Sequence, residues 1–152
     1  MLGIITEKNR GYFYNIINQE ISKDEKKYKF FGRPKKINIP GLLQFECVSL
    51  SNNKLNGYFS VLMDLRNYRL VNFSIVAFNF QREMYKDLYA FVKVQYQANN
   101  NFEFRICTQS PAFRLAERYF DYYNFEKIGV MKKSIKIDGE YYDEAIYALN
   151  KR

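Results

Sequence analysis

The sequence contains no histidine and no tryptophan, and only two cysteines, three prolines and seven glycines among 152 residues. The missing histidine excludes the most. No Ser–His or Cys–His nucleophile pair can form, and neither can a His-ligated zinc or haem site. Any catalysis falls to Tyr, Asp, Glu, Lys, Cys or the backbone. Two cysteines are too few for a disulfide-rich scaffold or a four-cysteine metal site. Cys47 and Cys107 both fall in apolar, strand-like runs, which reads as two reduced core residues, and no metal is expected. Scarce glycine and proline exclude collagen-like and linker-like compositions. No apolar run approaches the roughly 20 residues that span a membrane. The stretch from Met1 to Glu7 is too short an apolar run for a signal peptide, and it ends on an acid. The expectation is a soluble, cytoplasmic protein with no membrane partner.

What is present suits one globular domain over residues 1–152. Hydrophobic residues make up 47% and charged residues 26% of the chain. Fourteen tyrosines and fourteen phenylalanines supply the bulk of a core. The formal net charge is +8. Residues 1–40 carry nine basic and four acidic side chains, so +5 of that excess lies in the first quarter. Its densest part runs from Lys23 to Lys36, with Tyr28, Phe30 and Phe31 interleaved. Such a segment reads as a solvated loop. Alternatively it steers an anionic cofactor or substrate, or it binds nucleic acid through phosphate contacts and base stacking.

The pattern along the chain predicts a helix over 6–21, with Thr6 as N-cap and Phe13, Ile16, Ile17 and Ile21 on one face. A charged connection follows over 22–41. Period-two segments over 43–50, 55–64 and 68–78 predict an antiparallel meander with turns at 51–54 and 66–67. Helical spacing returns over 80–97, and 102–108 alternates like a half-buried strand. Ser110-Pro111 then opens a helix carrying Ala112, Phe113, Ala116, Tyr119, Phe120 and Tyr123. Strands over 126–137 and 140–149 flank Asp138-Gly139, a type I′ hairpin signal. The exposed edge of that hairpin is a candidate surface for pairing with a second copy.

Two stretches carry a family signal. The first runs from Ala116 through Tyr119, Tyr123, Asn124 and Phe125 to Gly129, and continues with Asp138-Gly139-Glu140-Tyr141-Tyr142-Asp143 and Ala145 to Leu149. The second runs from Val76 to Leu88 at the end of the third long strand, with Gln81-Arg82 at its centre. With the element order, these stretches resemble the GNAT N-acetyltransferase superfamily. The resemblance implies an α/β (mixed α+β) fold, a GNAT-like, mostly antiparallel mixed sheet of about six or seven strands flanked by helices. It implies an acyl-CoA-dependent N-acyltransferase, with acetyl-CoA as co-substrate and a small-molecule or protein amine as acceptor.

By the same resemblance, pantetheine pairs near Ala77 and Phe78, and the pyrophosphate lies over Gln81, Arg82, Glu83, Met84, Tyr85 and Lys86. Met84 and Lys86 stand where the family places two glycines, whose role is close backbone approach to phosphate at a helix N-terminus. Phe120 stands where the family's acidic tyrosine is usual, so Tyr119 and Tyr123 beside it are the candidate proton donors. No Asp or Glu lies between Tyr68 and Asn79 to serve as base. Glu46, one strand earlier, is the nearest substitute, and the plainer reading puts it on a solvated strand face. The alternatives to a transferase are a GNAT-shaped interaction module without activity, and a basic nucleic-acid-binding protein using Lys23 to Lys36.

Overall fold

The computed structural model describes residues 1–31, 33–67, 69–79, 81–98, 103–110, 113–122 and 124–149. At 69–73, 95–98, 103–104, 114–116, 119 and 149 it describes the backbone alone. The element order is β1 (Leu2–Ile4), α1 (Arg10–Lys23), α2 (Glu25–Tyr28), β2 (Leu42–Ser51), β3 (Lys54–Asp64), β4 (Arg69–Ala77), α3 (Arg82–Ala98), β5 (Glu103–Cys107), α4 (Phe113–Tyr122), β6 (Phe125–Ile137) and β7 (Glu140–Leu149). The seven strands form two ladders, β1-β2-β3-β4 and β5-β7-β6, and every pairing is antiparallel. The division falls between β4 and β5, which approach each other as the facing edges of the two sheets, joined through α3.

The turns form where the residues tolerate positive φ. Asn52 and Asn53 (φ 49° and 61°) close β2 onto β3, and Asp138 with Gly139 (φ 49° and 85°) closes β6 onto β7. Both pairs have the left-handed conformation that a type I′ turn needs. The first helix starts later than the sequence suggests, at Arg10 rather than Thr6. Residues 6–9 are a turn instead. Asn9 Oδ1 accepts from the Thr6 amide at 2.7 Å, and Asn9 Nδ2 donates to the Ile4 carbonyl at 3.1 Å. The Asn9 side chain is thereby spent on the preceding turn and makes no cap bond. Within the charged connection, Asp24 caps the short α2 by accepting from the Lys27 amide at 3.1 Å.

Two apolar clusters cover the two faces of the first sheet. On one face Phe59, Val61 and Ala77 pack with Met84, Tyr85, Leu88, Phe91 and Val92 of α3, and with Phe120, Phe125 and Tyr147. On the other, Val48, Tyr58 and Val76 pack with Ile17, Ile21 and Tyr28 from α1 and α2. Cys47 and Cys107 are buried and unpaired, and burial pushes the Cys47 thiol up to about 11. They are core residues, as their runs suggest.

Candidate functional site

The end of β4 is fixed by a buried asparagine. The Phe78 and Asn79 amides both donate to the Asn56 carbonyl, at 2.8 and 3.0 Å. The Asn56 side chain donates to Ser51 Oγ at 2.7 Å, and it is 1% exposed. Residues of an antiparallel ladder turn their N–H and C=O alternately toward and away from a given partner. Since Phe78 donates back to β3, its neighbour Ala77, paired opposite Gly57, directs its backbone toward β5. Of the two positions expected to meet pantetheine, Ala77 turns its backbone toward the β5 side but is fully buried, and the Phe78 amide is already spent. The Phe78 ring packs on Tyr28, centroids 5.4 Å apart.

Helix α3 begins directly after this strand end. Gln81, Arg82, Glu83 and Lys86 are exposed at its first turns. Met84 and Tyr85 are not: both side chains enter the core under the sheet. Their side chains offer a phosphate nothing, and the Met84 amide already donates to the Gln81 carbonyl at 3.1 Å. Met84 fills the hollow over Gly57, where a Cβ would stand 3.1 Å from Met84 Cγ and 3.2 Å from the Val76 carbonyl oxygen. A methionine therefore replaces an expected glycine without covering the helix N-terminus, because its bulk is taken up by a glycine on β3. The exposed Arg82 and Lys86 stand beside the positive end of the helix dipole.

On the opposite sheet face Glu46 is 3% exposed, which corrects the solvated-face reading. Its carboxylate accepts from the Tyr58 hydroxyl at 2.6 Å, from the Tyr14 hydroxyl, and from Arg10 Nε at 3.1 Å. Arg10 also pairs with Glu7 at 2.7 Å, which together with Glu46 raises its pKa further. Burial, then the bond to Glu46, pushes the Tyr14 phenol up to about 12 and moves Tyr58 in the same direction. Three donors thus engage the buried Glu46 carboxylate. An acid inside a strand was visible in the sequence. Its partners Arg10 and Tyr14, on α1, were not.

Beside this cluster a cavity of about 130 Å³ lies between the segment after α2 and the sheet. Arg33 and Lys35 stand on one side, with Gln44, Tyr58, Ser60 and Ser74 on the sheet side. Gln44 ties the segment down: its Nε2 donates to the Lys35 carbonyl at 2.9 Å, and its Oε1 accepts from the Ile37 amide at 2.9 Å. Nothing in the sequence pattern pointed to this cavity, because its two walls lie far apart along the chain.

The basic segment does not present a stacking surface. Tyr28 is buried, Phe31 packs with both apolar clusters, and Phe30 meets Tyr142 of β7 edge to face at 5.2 Å. Lys23, Arg33 and Lys36 are paired with Glu20, Glu25 and Glu7. At the other candidate positions, Tyr119 lies on α4 with its side chain outside the described atoms, and Tyr123 lies outside the described residues. Between them Phe120 is 1% exposed, ringed by Tyr85, Phe125 and Tyr147. Among the described residues no group of His, Cys, Asp and Glu is placed to hold a metal, and no helix is long and apolar enough to cross a membrane.

No protein-family model matches the sequence, and no curated protein is significantly similar to it in sequence. The fold does find relatives. A spermidine N-acetyltransferase from Vibrio cholerae, solved with CoA and spermine, superimposes with a TM-score of 0.66 at 12% identity, over 98% of this chain and 94% of that one. An acetyl transferase from Salmonella typhimurium that modifies the N-terminal serine of ribosomal protein L7/L12 gives 0.66 at 13% identity, over 97% and 92%. A ribosomal-protein-alanine N-acetyltransferase from Brucella melitensis gives 0.65 at 12%, over 97% and 98%. The chain has the GNAT acetyltransferase fold along nearly its whole length.

Proposed function

From the fold it shares with these acetyltransferases, we propose that the chain is an acyl-CoA-dependent N-acyltransferase that moves an acetyl group from acetyl-CoA to an amine. The observation that carries this reading is the near-complete superposition on N-acetyltransferases, one of them solved with CoA. The local geometry fits the same ligand. The buried Ala77 turns its backbone away from β3 toward β5, the direction in which an extended pantetheine arm would pair once β4 and β5 part to admit it. Gln81, Arg82 and Lys86 are exposed at the start of α3, where a pyrophosphate would meet a helix N-terminus.

Acetyl-CoA supplies the activated acyl group as a thioester. The protein's part is to hold the thioester beside β4, to bring an uncharged amine to it, and to return a proton to the departing sulfur. Tyr119 and Tyr123 are the proposed proton donors, since Phe120 has none to give. With Glu46 engaged by Arg10, Tyr14 and Tyr58, the amine is proposed to lose its proton to water.

The test is release of free thiol from acetyl-CoA as a function of added amine, with the acetylated amine identified by mass. Amine-dependent release is expected. Hydrolysis at one rate whatever amine is present would reject acyl transfer.

A further inference from the structure

The cavity beside Tyr58 says something about the acceptor. Its side chains are Arg33 and Lys35, the neutral polar groups of Gln44, Tyr58, Ser60 and Ser74, and the apolar Ile37 and Leu62. Among the described residues no carboxylate lines it. The nearest buried one, Glu46, is turned to Arg10 and the two tyrosines. Arg33 shares its charge with the exposed Glu25 at 3.2 Å. Among the described residues no carboxylate pairs with Lys35. The side chains therefore leave a positive balance beside the Ser74 hydroxyl, while the Tyr58 hydroxyl is given to Glu46 and the Gln44 amide to Lys35 and Ser60. Such a set solvates an anion and penalises a second cation. Ser74 lies on β4, so the cavity and the gap proposed for the thioester share one strand.

We infer that this cavity holds the anionic end of the acceptor, so that the substrate is a small amine bearing a carboxylate or phosphate and not a polyamine. The inference rests on the transferase reading for its chemistry, and on Arg33, Lys35, Ser60 and Ser74 for its specificity. One of the structural neighbours was solved with the polycation spermine, so a shared fold leaves the acceptor's charge to local residues.

Four amines of matched length test it by equilibrium calorimetric titration of the intact chain: 4-aminobutyrate, 3-aminopropyl phosphate, butylamine and 1,4-diaminobutane. The two anionic amines should bind at least about tenfold more tightly than butylamine, the equivalent of one charge-assisted contact, with the diamine weakest. Reversing the charges with R33E/K35E should remove the preference or invert it. Both side chains are exposed, so the variant should keep its unfolding midpoint. Ser74→Ala gives a second, charge-neutral loss of anion binding. Diamine binding equal to or tighter than that of the anions overturns the inference. So does binding of none of the four, or an order unchanged in R33E/K35E. Acetyl-CoA is titrated separately. Its failure to bind would strike the transferase reading, while the amine series still decides the charge preference of the cavity.

Discussion

The Tyr58 hydroxyl on β3 donates to Glu46 on β2 at 2.6 Å, between the apolar cluster under α1 and the polar cavity lined by Gln44, Ser60 and Ser74. Tyr58 also lines the acceptor cavity, so one phenol joins the buried charge to the proposed binding surface. Glu46→Ala would leave Arg10 and two phenols without their shared acceptor. Arg10 keeps its pair with Glu7, so the loss expected in urea unfolding is that of hydrogen bonds to a charged group, about 1.5–3 kcal/mol each. Tyr58→Phe should cost about 1.5–3 kcal/mol, the range for a hydrogen bond to a charged group. In the double variant the losses should fall short of their sum. Strict additivity would show that the two side chains do not act as a unit.

The same cluster sets an alkaline limit. Burial and Glu46 hold the Tyr14 phenol near 12 and move Tyr58 upward as well. The unfolded chain releases those protons near the ordinary value of 10. A raised folded-state pKa contributes stability that is complete below the unfolded value and is lost as pH climbs through the folded one. The unfolding midpoint should therefore fall between about pH 10 and 12, and Tyr14→Phe should flatten part of that fall. An unchanged slope in Tyr14→Phe would contradict the assignment.

Gly57 and Met84 form a matched pair across β3 and α3. A Cβ at 57 would press on Met84 Cγ and on a backbone carbonyl that cannot retreat. Gly57→Ala should destabilise by about 1–3 kcal/mol, the usual cost of overpacking. Met84→Ala alone should cost about 2–5 kcal/mol. Combining them should recover part of the loss, as chemical denaturation would reveal. Additive losses would mean that the two sites are independent.

These cases show what the sequence could and could not reveal. The Asp138-Gly139 turn, the amphipathic α4 and the β2–β3–β4 meander were legible because their signals are local: a turn dipeptide, a helical stripe, a period of two. Strand β1 was not, since three residues become a strand only by pairing with β2. Helix α2 was hidden in a charged stretch whose one signal is Asp24 as its cap. Gln81, Arg82 and Lys86 stand exposed at the helix start, but Met84 could be placed only once Gly57 was known to lie under it. Glu46 and Asn56 were visible as polar residues within strands. Their roles depend on partners that the fold brings from elsewhere.

Ala77 offers a clean test of the backbone contact. Its amide faces the edge of β4 away from β3, so proline there removes a donor without breaking a ladder bond. Ala77→Pro should remain folded by circular dichroism while its affinity for CoA falls about tenfold, the loss expected for one hydrogen bond left unmade. Undiminished CoA binding in a folded Ala77→Pro protein would exclude pairing of the pantetheine arm with this residue.

Acetyl-CoA is proposed to bind between β4 and the start of α3. Thermal unfolding with and without millimolar acetyl-CoA, at low and high salt, tests it most directly. At about 100 times its dissociation constant the ligand should add roughly 2.7 kcal/mol to stability. The account predicts a raised midpoint that persists at the higher salt, since pantetheine pairing does not depend on charge. An unchanged midpoint at both salt concentrations would contradict it.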